Sequence, residues 1–317
     1  MGPGSGCRRV RARGGGSYHW KVTDRVGRRR FVTVADLDRE AWLGDTRDAA
    51  FAGLRRAFDT ATALRHDGLR FVVAPIATRG GESLRRLDAR YAIALFPFVD
   101  GEAGQFGRYE ADSVRLEIVA MLAELHRATS AADAAANAVG FALPGRGHLE
   151  RALLEVDTPW TGGPLSEPAR EAVRTSASEL AELLTLADRL ARDAQTRAGG
   201  WVVTHGEPHA ANVMRRSHGR LLVDWDTVAL APRERDMWML AAGATDASGA
   251  YARATGTQLD EAALDYFRLS WDLKDIAEYL NVLRGSHEEN DDTARHYQAL
   301  TQIAAVWDAW TALIRAG

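Results

Sequence analysis

The sequence predicts an α+β chain in which a small antiparallel sheet with one main helix precedes a larger, mostly helical part. Three observations carry this. Roughly the first hundred residues hold β-branched and aromatic runs separated by turn-rich pieces, with one long helical stretch among them. From about residue 110 the apolar residues recur at helical spacing. A strand-like island near 201–224 interrupts the helices.

In order, GGGSYHWKV (14–22) and FVTVADLD (31–38) flank a turn-rich TDRVGRRR containing Gly27, which predicts a β-hairpin preceded by a glycine turn. Residues 47–66 place Phe51, Leu54, Phe58, Ala61 and Leu64 on one helical face. FVVAP (71–75) and YAIALFPFVDG (91–101) are predicted as two further strands, with TRGGES as their turn. The character changes after FPFVDG, so a sheet part is expected over 1–98 and a helical part over 99–317. There, 110–128 and 167–194 are periodic, and the linker between them holds Pro144, Gly145 and Gly147. WVVTH, NVMRR and RLLVDWD are short strands around HGEPHAAN and an SHG turn. Helices are predicted again at 266–283 and 305–314, and the alanine-rich 131–138 and 241–250 read as helix ends or loops.

Composition bounds the function. A chain of 317 residues that is 46% hydrophobic can fill one large or two ordinary cores. Its 40 basic and 43 acidic side chains are well mixed, for a net charge of -3, so no basic field points to nucleic acid or an anionic membrane. The basic stretch Arg8 to Arg13 reads as a frayed arm. A single cysteine, Cys7, excludes an internal disulfide and a cysteine-based zinc cluster, and fits a reducing cytoplasm. MGPGSG lacks the apolar centre of an export signal, and no run approaches the ~18 apolar residues of a membrane span. The expected partners are therefore small molecules.

HGEPHAAN (205–212) carries the chemistry. The H-x-E of a zinc deaminase needs a P-C-x-x-C, which one cysteine cannot supply. A zinc protease needs two histidines four apart on a helix, and Gly206 and Pro208 oppose a helix here. A merely hydrogen-bonded turn leaves unexplained the glycine, proline and asparagine at fixed offsets and the DWD at the end of the next strand. Phosphoryl transfer explains the set: a carboxylate, Glu207, orients an acceptor hydroxyl, while an amide oxygen, Asn212, and a carboxylate, Asp224, hold Mg²⁺.

HGEPHAAN, followed by LLVDWD and APRERDMW, resembles the aminoglycoside phosphotransferase family, particularly its spectinomycin phosphotransferase-like branch. The resemblance runs from GGGSYHW to the last helices. It implies a protein-kinase-like two-lobed fold: a nucleotide-binding sheet lobe, a hinge, and a helical lobe with the catalytic loop and substrate cleft. It implies ATP or GTP as donor, Mg²⁺, and an aminoglycoside, aminocyclitol, sugar or antibiotic alcohol as acceptor. Residue by residue, Glu207 takes the catalytic position, His205 braces the loop, and Asn212 and Asp224 bind Mg²⁺ with Asp226 beside them. Asp236 anchors the loop. Phe96, Phe98 and Val99 fall at the hinge, and Gly14, Gly15, Gly16 and Ser17 cover the phosphates.

Three departures stand against that pattern. Glu207 replaces aspartate, which moves the carboxylate by roughly 1 to 1.5 Å on an unchanged backbone. The strand lysine of the family is absent from FVTVADLD, where Thr33 or a neighbour takes its place. Lys21, on the adjacent strand ~4.8 Å away, is a possible substitute. About thirteen residues precede the glycine turn, fewer than the family's first strand and leading segment require. These departures also motivate an alternative, a catalytically silent kinase-fold protein that binds nucleotide without transfer. On the substrate side, SHEENDD (286–292) and the Asp272, Asp275, Glu278 series suit either a polycationic acceptor or a solvated helix face.

Overall fold

The computed structural model describes residues 7–10, 17–107, 109, 111–132, 136–197, 199–241 and 245–316. In chain order the elements are β1 (Cys7–Val10), β2 (Ser17–Thr23), β3 (Arg29–Asp36), α1 (Arg47–His66), β4 (Arg85–Arg86), β5 (Tyr91–Pro97), β6 (Glu102–Ala103) and α2 (Asp112–Arg127). Next come α3 (Arg146–Leu154), α4 (Ser166–Thr175), α5 (Ala177–Arg197), β7 (Val202–Thr204), β8 (Val213–Arg215), β9 (Arg220–Leu222) and β10 (Ala229–Ala231). The chain finishes with α6 (Glu234–Ala241), α7 (Ala247–Thr255), α8 (Glu261–Arg284), α9 (Asp291–Leu300) and α10 (Ile303–Arg315). Two compact units form: residues 1–140 with 199–259, and residues 141–198 with 260–317. The boundary expected at residue 98 does not coincide with this division, because the strands and loop of 201–224 pack with the sheet part.

In the first unit, five strands form a sheet in the order β1-β2-β3-β5-β4, every pairing antiparallel. Thr33 stands opposite His19 and Ala94, and Ala35 opposite Ser17 and Ala92. Side chains alternate faces along a strand, so these residues share one face with Phe31, Lys21 and Phe96. That face is covered by α1: Ala50, Leu54 and Phe58 join Ala35, Leu37, Leu84, Ala92 and Ala94 in a closed core. The helix starts where Thr46 caps it, its hydroxyl accepting the Ala49 N–H at 3.1 Å. A turn of 3-10 helix, Ala41–Leu43, sits against α1 at Gly53, where a Cβ would approach the Leu43 carbonyl oxygen to 2.7 Å.

Two strand expectations are corrected here. FVVAP forms no strand: Val72 makes a single parallel bridge to Leu222, and the strand beside β5 is β4. Phe71, Val72 and Val73 are buried as a plug instead, and Pro75 has no N–H to continue a ladder. Of the stretch expected as a frayed arm, Arg8 to Arg13, the residues up to Val10 lie in a strand, Cys7–Val10 pairing with Val22 to His19, and residues 11–13 lie outside the described residues. The pairing is what reveals the strand; four residues carry too little periodicity to do so.

The second unit is helical. α5 packs along α8, burying Leu180, Leu183 and Leu190 in one and Tyr266, Leu273 and Leu280 in the other. The periodic 167–194 stretch is two helices divided at Ser176, and the expected linker contains α3, which begins after Gly145 in a left-handed turn, φ 71°. SHEENDD resolves as the start of α9, where Asn290 caps the N–H groups of Asp292 and Thr293. Asp272 lies 3.4 Å from the indole N–H of the buried Trp310. Among the described residues no helix is long and apolar enough to cross a membrane.

Candidate active site

The HGEPHAAN loop leaves β7 and is held from below by the first turn of α6. The Asp236 carboxylate, fully buried, accepts the His205 N–H at 2.8 Å and the Gly206 N–H at 2.6 Å. His126 of α2 donates its Nε2–H to the same carboxylate at 3.1 Å, and its Nδ1 lies 2.7 Å from the Tyr251 hydroxyl of α7. Burial pushes the Asp236 carboxyl up, but the hydrogen bond and charge of His126, with His205 and Arg235 nearby, outweigh it and hold the group below its ordinary range. The Arg235 guanidinium, itself buried, bonds Thr204 Oγ1 at 2.8 Å and the Thr227 carbonyl at 2.9 Å.

His205 lies inside the loop. Its Nε2 donates to the Val223 carbonyl at 2.9 Å, so its Nδ1 is free to accept the Glu207 N–H at 3.3 Å. Burial lowers the ring to about 4, which keeps it neutral in this tautomer. The Trp225 ring packs edge-on at 4.7 Å.

Glu207, Asn212 and Asp224 come together on this frame. The Asn212 Nδ2 donates to the Glu207 carbonyl at 3.0 Å, which orients the amide and leaves Oδ1 as its acceptor. Glu207 Oε2 lies 4.0 Å from His209 Nε2, and the His209 ring meets Phe106 at 4.8 Å. Asp224, at the end of β9, is the one non-glycine among the described residues with positive φ, 66°. Strain of this kind is kept where the surroundings fix it. Although Asp224 retains solvent access, the protein around its carboxyl, and then the charge of Glu207, push it up to about 6. An amide oxygen and a crowded carboxylate are hard donors that suit Mg²⁺, which takes one or two protein carboxylates and completes its shell with phosphates and water. No group of three or more His, Cys, Asp or Glu among the described residues is placed to hold a metal ion. The charge of Asp226 acts on the buried Arg235.

On the nucleotide side, Gly14, Gly15 and Gly16 lie outside the described residues. Ser17 begins β2 and its hydroxyl donates to Glu40 at 3.5 Å. Phe96 turns its ring toward α1, edge-on to Phe58 at 5.4 Å. Phe98 and Val99 follow β5, and their backbone groups make no hydrogen bond among the described residues. Lys21 sits with its ammonium 4.3 Å over the Phe98 ring, which Arg29 also meets at 4.7 Å. Lys21 is thus at the Phe98 end of the sheet, four residues and roughly 13 Å along β2 from Ser17. Thr33 bears no charge and instead pairs with His19 Nδ1 at 3.2 Å. A cavity of about 360 Å³ is lined by Phe98 and Val99 together with Arg65, Arg70, Val73 and Arg216, and by no residue of 205–212.

Sequence reasoning missed Glu40, His126 and Tyr251. His126 reaches Asp236 from a helix 110 residues earlier, and Tyr251 bonds His126, with no local signal for either; Glu40 was hidden in a run of alternating charges.

The model of the phosphotransferase enzyme family (APH) matches residues 10–279. Protein StrN of Streptomyces griseus is 28% identical over 272 residues, covering 82% of this chain and 80% of that protein. The crystal structure of spectinomycin phosphotransferase APH(9)-Ia with ADP and spectinomycin gives a TM-score of 0.71 at 15% identity, over 95% of this chain and 93% of that one. The microcompartment-associated aminopropanol kinase gives 0.62 at 15% identity, over 98% and 93%. The kinase-like α+β fold is thus shared, and a family match over most of its length establishes that this chain belongs to the phosphotransferase enzyme family, as a small-molecule kinase.

Proposed function

We propose that this phosphotransferase moves the γ-phosphoryl group of ATP or GTP to a hydroxyl of a small molecule, an aminocyclitol or aminoglycoside, a sugar or an antibiotic alcohol. Glu207 orients the acceptor hydroxyl and takes up its proton as the oxygen attacks in line; the bond to the β-phosphate oxygen breaks as the new phosphate ester forms. Asn212, through Oδ1, and Asp224 are the residues that would hold Mg²⁺. When bound, the ion neutralises charge building on the β- and γ-phosphates. Asp236, His205 and Arg235 take no part in bond making and keep Glu207 and Asn212 at a fixed separation. The free backbone groups of Phe98 and Val99 suit the edge of a purine. The observation that carries the reading is the meeting of Glu207 and Asn212, on one pinned loop, with Asp224 just past β9. The acceptor class is supported by the fold shared with a spectinomycin phosphotransferase.

The test is incubation of the full chain with Mg²⁺ and ATP or GTP against a panel of aminocyclitols, aminoglycosides, sugars and nucleoside antibiotics, read by mass spectrometry. A product heavier by one phosphoryl group, lost in Asn212→Ala and Asp224→Ala, is expected. Nucleotide binding without transfer to any acceptor would return the silent reading instead.

A further inference from the structure

The cavity beside Phe98 and Val99 has a lining that phosphoryl transfer leaves unused. It exists because residues 71–76 cross from β9 to β5 without forming a strand: the Val73 N–H bonds the Leu222 carbonyl at 3.1 Å, and the Ile76 N–H bonds the Leu95 carbonyl at 2.6 Å. The last turn of α1, the segment after it and the turn between β8 and β9 supply Arg65, His66, Arg70 and Arg216 to this one volume of about 360 Å³. Val72, Val73, Ile76, Pro97 and Leu221 make the rest of its wall apolar. No residue of β1, β2 or β3 lines it, and neither does Asp224. The charges on the lining are unbalanced. Arg70 and Arg216 are exposed, and among the described residues their side chains make no ion pair or hydrogen bond. The Arg65 guanidinium is held by two carbonyls, of Leu69 at 3.5 Å and of Arg70 at 2.5 Å, so no carboxylate compensates its charge. Asp100, the acid on the lining, is bonded to Arg29, and Asp67, which ends α1, does not line the cavity.

We infer that this cavity is a binding site for a small organic anion, a phosphate monoester above all, carried on an apolar body, and that it is separate from the site of phosphoryl transfer. A guanidinium is charged at every working pH and offers paired N–H groups that match the oxygens of a phosphate or carboxylate. Three of them around one hollow repel one another, and an anion relieves that repulsion. A dianionic phosphate satisfies more of the three than a carboxylate does. Charge alone would describe a solvated basic patch, but here it borders an apolar wall, and the volume falls in the range of small-ligand pockets. An aromatic or branched body would rest on Val73, Ile76 and Leu221 while its phosphate meets the arginines. A neutral purine base has no use for this lining.

Fluorine NMR on the full chain with 4-fluorophenyl phosphate as the probe tests this, at low ionic strength and about pH 8, where a phosphate monoester is a dianion. The probe is expected to bind at least about tenfold more tightly than its neutral counterpart, 4-fluorobenzyl alcohol, and to lose about tenfold or more in the double variant Arg70→Gln, Arg216→Gln. Both arginines are exposed, so this variant should keep its fold, which its melting temperature checks. Ala74→Trp, which fills the hollow with every arginine in place, should abolish binding. Neutral adenosine should leave the probe bound. Equal affinity for the phosphate and the alcohol overturns the inference, and so does binding that the double variant leaves unchanged. Displacement by adenosine overturns it too, because the cavity would then belong to a nucleoside site. Binding of the probe requires no phosphoryl transfer, so a chain inactive toward every acceptor is a separate failure from this one.

Discussion

Asp236 Oδ1 accepts the backbone N–H of Gly206 at 2.6 Å, across thirty residues of sequence. Its other oxygen accepts the His205 N–H and the His126 ring, so a single buried carboxylate satisfies donors from a loop and from α2. Asp236→Ala would strand all of these donors in the interior. The expected cost is about 3–5 kcal/mol in urea unfolding, the range for removing one partner of a buried charged network. Asp236→Asn keeps the shape and one acceptor oxygen, and should lose about 1–3 kcal/mol. A loss below 1 kcal/mol in both would mean that the loop does not depend on this anchor.

Gly206 has φ 97°, and a Cβ there would run into the guanidinium of Arg235. The guanidinium has no room to yield, since it spans Thr204 Oγ1 and the Thr227 carbonyl. Gly206→Ala therefore combines backbone strain of about 1–2 kcal/mol with a steric clash. An overall loss of about 2 kcal/mol or more is expected. Because the next residue is Glu207, a displacement near 1 Å should also lower kcat about a hundredfold. Steady-state kinetics on the folded variant would check the second effect separately from the first.

The extent to which this site can be read in the sequence follows from the range of its interactions. Helix α1 is visible because twenty consecutive residues repeat one pattern and Thr46 caps it. The loop is visible because Gly206, Pro208 and Asn212 each imply a backbone demand at short range, whereas Asp236 is expected as its anchor only through the family resemblance. Glu40 offers no such signal: DLDRE looks like a solvated turn, and only the fold shows that Asp36 and Glu40 are buried while Asp38 is not. The surroundings of Lys21 are hard to read for a related reason. Strand spacing says which residues are neighbours across a sheet, but where each end of the strand lies depends on the hairpin register, here Lys21 opposite Phe31 and Phe31 opposite Phe96.

Glu207 is one methylene longer than the aspartate of the family pattern, and its carboxylate lies near the His209 ring, which Phe106 backs. Glu207→Asp should lower kcat by about a hundredfold, since the shorter carboxylate falls short by roughly 1 Å. Glu207→Gln, which keeps the length and removes the base, should lose about 10²–10⁴-fold. KM for the nucleotide should change little in either. A Glu207→Asp enzyme as active as the wild type would show that the loop is not adapted to glutamate.

Glu40 also sets a pH dependence of stability whose sign is fixed by its surroundings. Burial raises its folded-state carboxyl to about 7 from an ordinary 4.5. Between those values the folded state holds a proton that the unfolded state has lost, so stability is fully present below about pH 4.5 and falls as pH rises through about 7. His205, lowered to about 4, acts in the opposite sense, losing stability as pH falls from about 6.5. The wild-type profile alone would blur the two. Glu40→Gln carries the neutral shape at every pH and keeps His205, so the His205 contribution cancels in the difference. The variant should gain on the wild type by on the order of 3 kcal/mol between pH 4.5 and 8, with most of the change complete near 7. Urea unfolding of both proteins at matched ionic strength across this range measures the difference, and a flat difference would mean that Glu40 is charged and compensated in the folded chain.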